Sequence, residues 1–306
     1  MKSFCGMLFV GLAVCSAAPE ARASHTLGYL FDETGVTATA DGSAAAIAPM
    51  LFLEGGNGLS SDLHGEPGSG VSGLPGDRAL DLTSTSGMGM SGGGRGRHAM
   101  APNGFNADFD AIDSSTAFTI AGWFKTDSTE QIGMNAVLVS NAPLLSFGPQ
   151  GGFVLQGGNT PGSLSLGVNT AALSNVNRVQ SSPAFGATES WVNFAVTYDG
   201  TQTTNNVRFF RGTPDSPLVL TDTLTLNAGV VGENNFPLII GNTEANLNGF
   251  DGFLDNIRIW NEVIPLSALR TIGETDVVPE PCTLALLLAA SGVGVVIVAR
   301  KKRQCN

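Results

Sequence analysis

Between Ser24 and Val278 the chain has no cysteine and a single lysine, Lys125. The four cysteines, Cys5, Cys15, Cys282 and Cys305, all lie in the terminal segments. The central segment therefore folds without disulfides and carries neither a thiolate nucleophile nor a zinc–thiolate site. Its nine basic residues stand against 24 acidic ones, a net charge of −15. Nucleic acid and anionic polysaccharide are held by patches of cations, so this charge argues against both as direct partners. Neutral glycans and cations remain compatible. Histidine is scarce, with only His25, His64 and His98. The one G-x-S-x-G match, Gly89-Met90-Ser91-Gly92-Gly93, lies in a glycine-rich run and lacks the strand-to-helix turn that a nucleophile elbow needs. Several acids sit at turns, with Asp199 and Asp251 before glycine and Asp215 after Pro214. Glycoside hydrolysis needs two carboxylates at a defined separation, and turn acids are solvated by default.

The two ends differ from the rest. Met1–Ala23 has a charged start at Lys2, an apolar run from Phe4 to Ala18 and a small-x-small site at Ala21-Arg22-Ala23, which together predict a secretory signal ending before Ser24. Val14 is too bulky for a lipoprotein site at Cys15. At the other end, Pro279-Glu280-Pro281 precedes an uncharged run, Cys282–Ala299, and then Arg300-Lys301-Lys302-Arg303. Eighteen residues in a helix span ~27 Å, close to the hydrocarbon thickness of a bilayer. The run is therefore expected to be a transmembrane helix, with the four cations as its stop-transfer signal on the cytoplasmic side. The prolines keep such a helix from extending backward.

The middle reads as short strands separated by turn residues. Leu27, Tyr29 and Phe31 alternate, and Asp32-Glu33-Thr34-Gly35 follows as a turn. Glu54–Asp77 is rich in Gly, Ser and Pro and reads as loop, as does Ser84–Gly104 with its SGGGRGRH run, which lacks the strand–loop–helix context of a phosphate cradle. Strands are expected at Arg78–Leu82, Phe118–Phe124, Val137–Val139, Leu144–Phe147, Gly152–Gln156, Ser163–Val168, Trp191–Tyr198, Val207–Arg211, Leu218–Leu226, Pro237–Gly241 and Gly252–Trp260. A short helical turn is expected at Leu266–Ile272, and residues 273–277 read as a linker. Many short strands with little helix predict an all-β antiparallel sandwich. In the last strand a two-residue period puts Phe253, Asp255, Ile257 and Ile259 on one face. A carboxylate among such neighbours must be satisfied, because an unpaired buried charge is costly. Trp123, Trp191 and Trp260 fall opposite the main apolar faces, where covering a second hydrophobic layer or a sheet edge is favoured over stacking on sugar rings.

Two resemblances follow. The order Pro-Glu-Pro, apolar run and basic cluster resembles the PEP-CTERM sorting signal of Gram-negative, exopolysaccharide-producing bacteria. It implies an exosortase as processing partner and attachment to a membrane through residues 282–299. FTIAGWFKTD, WVNFAVTYDG, VRFFRG, PLIIGN and FDGFLDNIRIWNEVIPLSAL, with TLGYLFDETG and RALDLTS before them, resemble the laminin-G-like, concanavalin A-like lectin/glucanase jelly roll. Relatives of that sandwich often hold calcium between the final strand and the N-terminal region. The resemblance implies Asp255 as one calcium ligand and Asp32 as its partner. Calcium takes six to eight oxygens, so backbone carbonyls would complete the set. The glucanase spacings E-x-D-x-E and E-x-D-x-x-E are absent, which disfavours a hydrolase.

The sequence is thus organised as a signal peptide (1–23), a laminin-G-like jelly-roll sandwich (24–272), a linker (273–277) and a sorting and transmembrane segment (278–306). The role expected is that of an exported, non-enzymatic surface or matrix protein for carbohydrate or protein adhesion, with a neutral glycan or exopolysaccharide matrix as partner. A structural matrix component without a specific ligand is the alternative.

Overall fold

Strict alternation of apolar residues makes the longest strands, and these form one sheet. The structure is a computed structural model. It describes residues 27–41, 50–55, 59–83, 96–100, 111–126, 132–133, 135–142, 151–170, 177–234, 236–243 and 248–277, all within one compact unit, residues 24–278. The signal segment, the sorting residues Pro279, Glu280 and Pro281, the cations Arg300, Lys301, Lys302 and Arg303, and the strand expected at 144–147 lie outside the described residues.

In chain order the described strands are β1 (Leu27–Tyr29), β2 (Thr37–Asp41), β3 (Met50–Glu54), β4 (Leu80–Asp81), β5 (His98–Met100), β6 (Ala117–Thr126), β7 (Val137–Ser140) and β8 (Gly152–Gly157). They continue with β9 (Leu164–Asn169), β10 (Arg178–Gln180), β11 (Val192–Asp199), β12 (Val207–Thr213), β13 (Ser216–Leu224), β14 (Ile239–Ile240) and β15 (Gly252–Trp260). All pair antiparallel, in the order β10-β9-β8-β7-β14-β5-β3-β2-β1-β15-β6-β11-β12-β13, with β4 on the side of β15. β2 belongs to both halves, pairing with β1 on one side and β3 on the other. The two halves face each other across the core: Phe118 of β6 meets Phe153 of β8 at 5.4 Å between ring centroids, and Tyr198 of β11 at 5.5 Å. Phe118, Ile120, Phe124, Phe194, Val196, Leu155, Leu166 and Val168 fill the space between them with no exposed surface. This is the expected all-β antiparallel sandwich.

The last strand departs from simple alternation. Asp255 pairs with Trp123, but the next registered pair is Arg258 with Ala121. Three steps along β15 thus face two along β6, a β-bulge, and Asn256 takes a left-handed φ of 51° within it. Leu254, Ile257 and Ile259 join the core, whereas Arg258 and Trp260 lie on the outer face, with Asp255 paired to outward Trp123. The expectation that Phe253, Asp255, Ile257 and Ile259 share one face is therefore corrected, and the bulge is the reason.

α1 (Leu266–Val277) lies on that outer face. It runs through residues 273–277, which the sequence presents as a linker. Its Leu269 packs with Ala121, Ala195, Phe210, Leu218, Trp260 and Ile264 in a second, smaller apolar cluster. Its last turn is pinned by Asp276, which accepts two hydrogen bonds from Arg258, at 2.9 and 2.8 Å, and one from Trp123 Nε1 at 3.0 Å. The transmembrane helix of the expected fold is not upheld. Among the described residues no helix is long and apolar enough to cross a membrane. Their one α-helix is α1, twelve residues long and folded onto the sheet, while the run expected to span, 282–299, lies outside them.

The Arg258–Asp276 pair is nearly sealed, with side chains 11 and 5% exposed. Removing one partner of such a pair leaves the other charge uncompensated, at a cost of about 3–5 kcal/mol. Asp276→Ala is therefore expected to lower unfolding free energy by about that amount in chemical denaturation, and Arg258→Met with Asp276→Leu together by much less. A loss below about 1 kcal/mol for Asp276→Ala would show that the pair does not hold α1.

Candidate functional site: a carboxylate cluster

Asp255 has no exposed surface. Its Oδ2 accepts the Val71 N–H at 2.8 Å, and its Oδ1 is buried with no hydrogen-bond partner among the described residues. Val71 belongs to the Gly- and Ser-rich loop 59–79, which the turn residues shape and which brings a second acid, Asp77, beside Asp255. Asp77 Oδ2 accepts the N–H and the Oγ–H of Ser72, each at 2.6 Å. Asp32, in the turn after β1, accepts the Arg78 N–H at 3.0 Å. Asp77 acts on its carboxyl as a neighbouring like charge. Asp77 thus bears on both acids expected from sequence, Asp32 and Asp255, and is one that sequence reasoning missed.

The electrostatics are those of crowded like charges. Burial pushes the Asp255 carboxyl well above the usual carboxylate range; Asp77, Asp276 and Asp32 add to the shift and only the Val71 N–H opposes it. Burial raises Asp32 as well, with Asp77 and Glu33 adding and the Arg78 N–H opposing. The cluster is stable only if a proton or a cation answers these charges. Asp255 Oδ1, buried and without a donor, is the atom that asks for one. Among the described residues no group of three or more His, Cys, Asp or Glu side chains is placed to hold a metal ion, so Asp32, Asp77 and Asp255 do not form a three-carboxylate site. A calcium ion here would rely on backbone carbonyls for much of its shell.

A histidine holds the two sides of the cluster together. His64 Nδ1 lies 2.9 Å from Asp62 Oδ1, and His64 Nε2 is 3.7 Å from Glu33 Oε2. Asp62 Oδ2 also accepts the Gly35 N–H at 2.9 Å. Burial pulls the His64 pKa down, but Glu33 and Asp62 outweigh it and leave it raised. The contacts fasten the Asp32–Gly35 turn to the loop that carries Asp77.

Elsewhere on the outer face, Trp260 is buried in the second apolar cluster, and Trp123 is buried with its Nε1 on Asp276. Trp191 is only half-buried. Beside it the Lys125 ammonium lies 5.1 Å from the Trp191 ring centre and 4.7 Å from that of Phe253. One row inward, Trp123 and Asn193 line a cleft of about 230 Å³ between the end of α1 and the β12–β13 turn, together with Ser216 and Glu274.

Residues 96–268 match the family described as the concanavalin A-like lectin/glucanases superfamily. Among solved structures, the Ruminococcus gnavus IT-sialidase CBM40 bound to alpha2,3 sialyllactose is 16% identical, with a TM-score of 0.37 over 52% of this chain and 83% of that one. The binding domain of Paraclostridial Mosquitocidal Protein 1 is 13% identical, with a TM-score of 0.48 over 83% of this chain and 52% of that one. The native heptameric SAP-like pentraxin from Limulus polyphemus is 17% identical, with a TM-score of 0.36 over 53% of this chain and 71% of that one. No curated protein sequence matches the chain.

The raised Asp255 fixes the sign of a pH effect. The folded state binds the Asp255 proton more tightly than the unfolded chain, whose aspartates titrate near ~3.9. The stabilisation is complete below that value and is lost as pH rises toward the folded one. In chelator, thermal unfolding of the wild type is expected to move to lower temperature as pH rises from about 4, and Asp255→Asn is expected to flatten that decline. Equal slopes for the two proteins would remove Asp255 as the titrating group.

Proposed function

We infer, from its place in the concanavalin A-like lectin/glucanases superfamily, to which this chain belongs, that the protein is an exported, non-catalytic lectin-like module. Its sandwich associates with a neutral glycan or an exopolysaccharide matrix, and calcium held by Asp255 and Asp32 with backbone carbonyls stabilises it. The observation that carries the reading is the buried, undonated Oδ1 of Asp255 beside two further carboxylates. Asp255 and Asp32 would hold the ion, with Asp77 and carbonyls of the loop around it. Calcium would supply charge compensation and rigidity to the loop 59–79, and no bond-breaking step. The net charge of −15 between Ser24 and Val278 supports neutral over anionic glycans. The absence of E-x-D-x-E and E-x-D-x-x-E supports a binding role over hydrolysis. The signal-like start and the Pro279-Glu280-Pro281 motif support export and processing by an exosortase, with release to the outer surface or matrix.

Calcium at a hundredfold excess over its Kd is expected to add about 2.7 kcal/mol, which for a domain of this size is about 5–11 °C in Tm. Asp255→Ala is expected to lose that response, and an unchanged response would count against the cluster. Arrays of neutral glucans and galactans, probed with and without chelator, separate the lectin from a purely structural matrix component, which would bind none of them. Reducing-sugar release from the same glycans would instead reveal a hydrolase. The native protein recovered from medium or matrix is expected to have a mass lacking residues 1–23 and the residues after the Pro-Glu-Pro region. A full-length mass would sink the sorting role.

A further inference from the structure

Lys125 is the only lysine between Ser24 and Val278, a segment with 24 acids to pair it with. It pairs with none of those described. Its ammonium instead sits between two aromatic rings, Trp191 at 5.1 Å and Phe253 at 4.7 Å, and among the described residues no oxygen accepts from its three N–H groups. The arrangement follows from register. Phe253 of β15 is the direct partner of Lys125 on β6, and Val192, next to Trp191, is the partner of Phe124. Three adjacent strands thus place an aromatic, a cation and an aromatic in one row on the outer face. All three side chains are half-buried, so the rings keep some face open to solvent.

The neighbouring row adds a wall and a recess. Trp123 and Asn193 lie two residues further along the same strands and line the cleft of about 230 Å³, where Thr213, Ser216 and Glu274 supply polar groups. Trp123 is already committed to Asp276 through its Nε1, so it forms the cleft wall, and the open rings are those of Trp191 and Phe253.

We propose that Lys125, Trp191 and Phe253 form a sugar-binding ledge that continues into this cleft, with a neutral pyranose ring stacked on the aromatic faces and its hydroxyl oxygens accepting from the lysine. The subsite presupposes the carbohydrate role proposed above. Ring faces suit the C–H face of a sugar, and an ammonium suits hydroxyl or ring oxygens as acceptors. Cation–π contact holds the ammonium in place and leaves its N–H groups available to a ligand. Burial lowers the Lys125 pKa. The surplus of acids in the segment disfavours a polyanionic ligand.

The test is affinity electrophoresis of the full chain through soluble laminarin, galactomannan and hydroxyethyl cellulose, with the calcium-induced shift in Tm as a control for folding and for the separate carboxylate cluster. Wild type retarded by one of these, with Trp191→Ala and the nearly isosteric Lys125→Met each weakening binding about tenfold or more and keeping the calcium shift, supports the ledge. Lys125→Arg, which keeps charge and donors, is expected to retain most of the binding. In wild-type protein, reductive methylation of Lys125 is expected to slow when the retarding polysaccharide is present. Retardation of both variants equal to wild type, with Lys125 methylated at the same rate with and without polysaccharide, overturns the ledge and leaves the lectin reading standing. A wild type retarded by none of the three overturns both.

Discussion

One extra residue in the final strand decides which face of the sandwich carries chemistry. With perfect alternation, Asp255 would share a face with Ile257 and Ile259 and drive a carboxylate into the apolar core, where nothing could pair it. The bulge at Asn256 breaks the period between them. Leu254, Ile257 and Ile259 then fill the core, and Asp255, Arg258 and Trp260 are left to a different environment. Asn suits the bulge because its short polar side chain tolerates left-handed angles, and its Oδ1 accepts a hydrogen bond from Arg258 at 3.1 Å. Gly122 on the facing strand supports the same feature: a Cβ there would come within 2.6 Å of Ile257 Cδ1. The bulge therefore separates an uncharged interior from an outer face on which every strong electrostatic interaction of β15 is made.

On that outer face two carboxylates have opposite fates. Asp276 receives three hydrogen bonds from Arg258 and Trp123 and closes the end of α1 onto the sheet. Asp255 receives one, from Val71, and faces Asp77 and Asp32 with no basic side chain to offset them. The contrast is one of supply. With nine bases for 24 acids, most acids cannot be paired from within the chain, and a domain without disulfides gains from an external cation that binds only the folded state. The same shortage makes it notable that, among the described residues, Lys125 sits against two rings and no carboxylate.

Legibility in the sequence followed element length and side-chain type. β6, β11 and β12 were readable because they alternate over many residues with Phe, Ile, Val and Trp, and β15 was readable as a strand although its bulge hid which residues share a face. β2, with Thr-Ala-Thr-Ala-Asp, and β5, with His-Ala-Met behind a glycine-rich run, have small or unbranched residues and are strands only because their neighbours offer edges to pair with. The last turn of α1, with Gly273, Thr275 and Val277, has weak helix propensity, and packing plus the Asp276 anchor override it. Within the site, Asp255 and Asp32 stood out because their strand and turn contexts resemble a known sandwich. Asp77 was hidden in a Pro-Gly-Asp turn, where an aspartate ordinarily means only a turn.

The position of α1 also bears on what the outer face presents among the described residues. The helix packs on Ala121 and Trp260 and reaches Trp123 through Asp276. Lys125 lies two residues beyond Trp123, ~6.8 Å along the strand, and Phe253 and Trp191 stand in its row. The apolar layer is thus buried at one end of β6, whereas at the other end two aromatic rings flank an ammonium and all three side chains are half-buried. Half-buried aromatic rings are a cost to the isolated fold, and contact with a ligand would offset it.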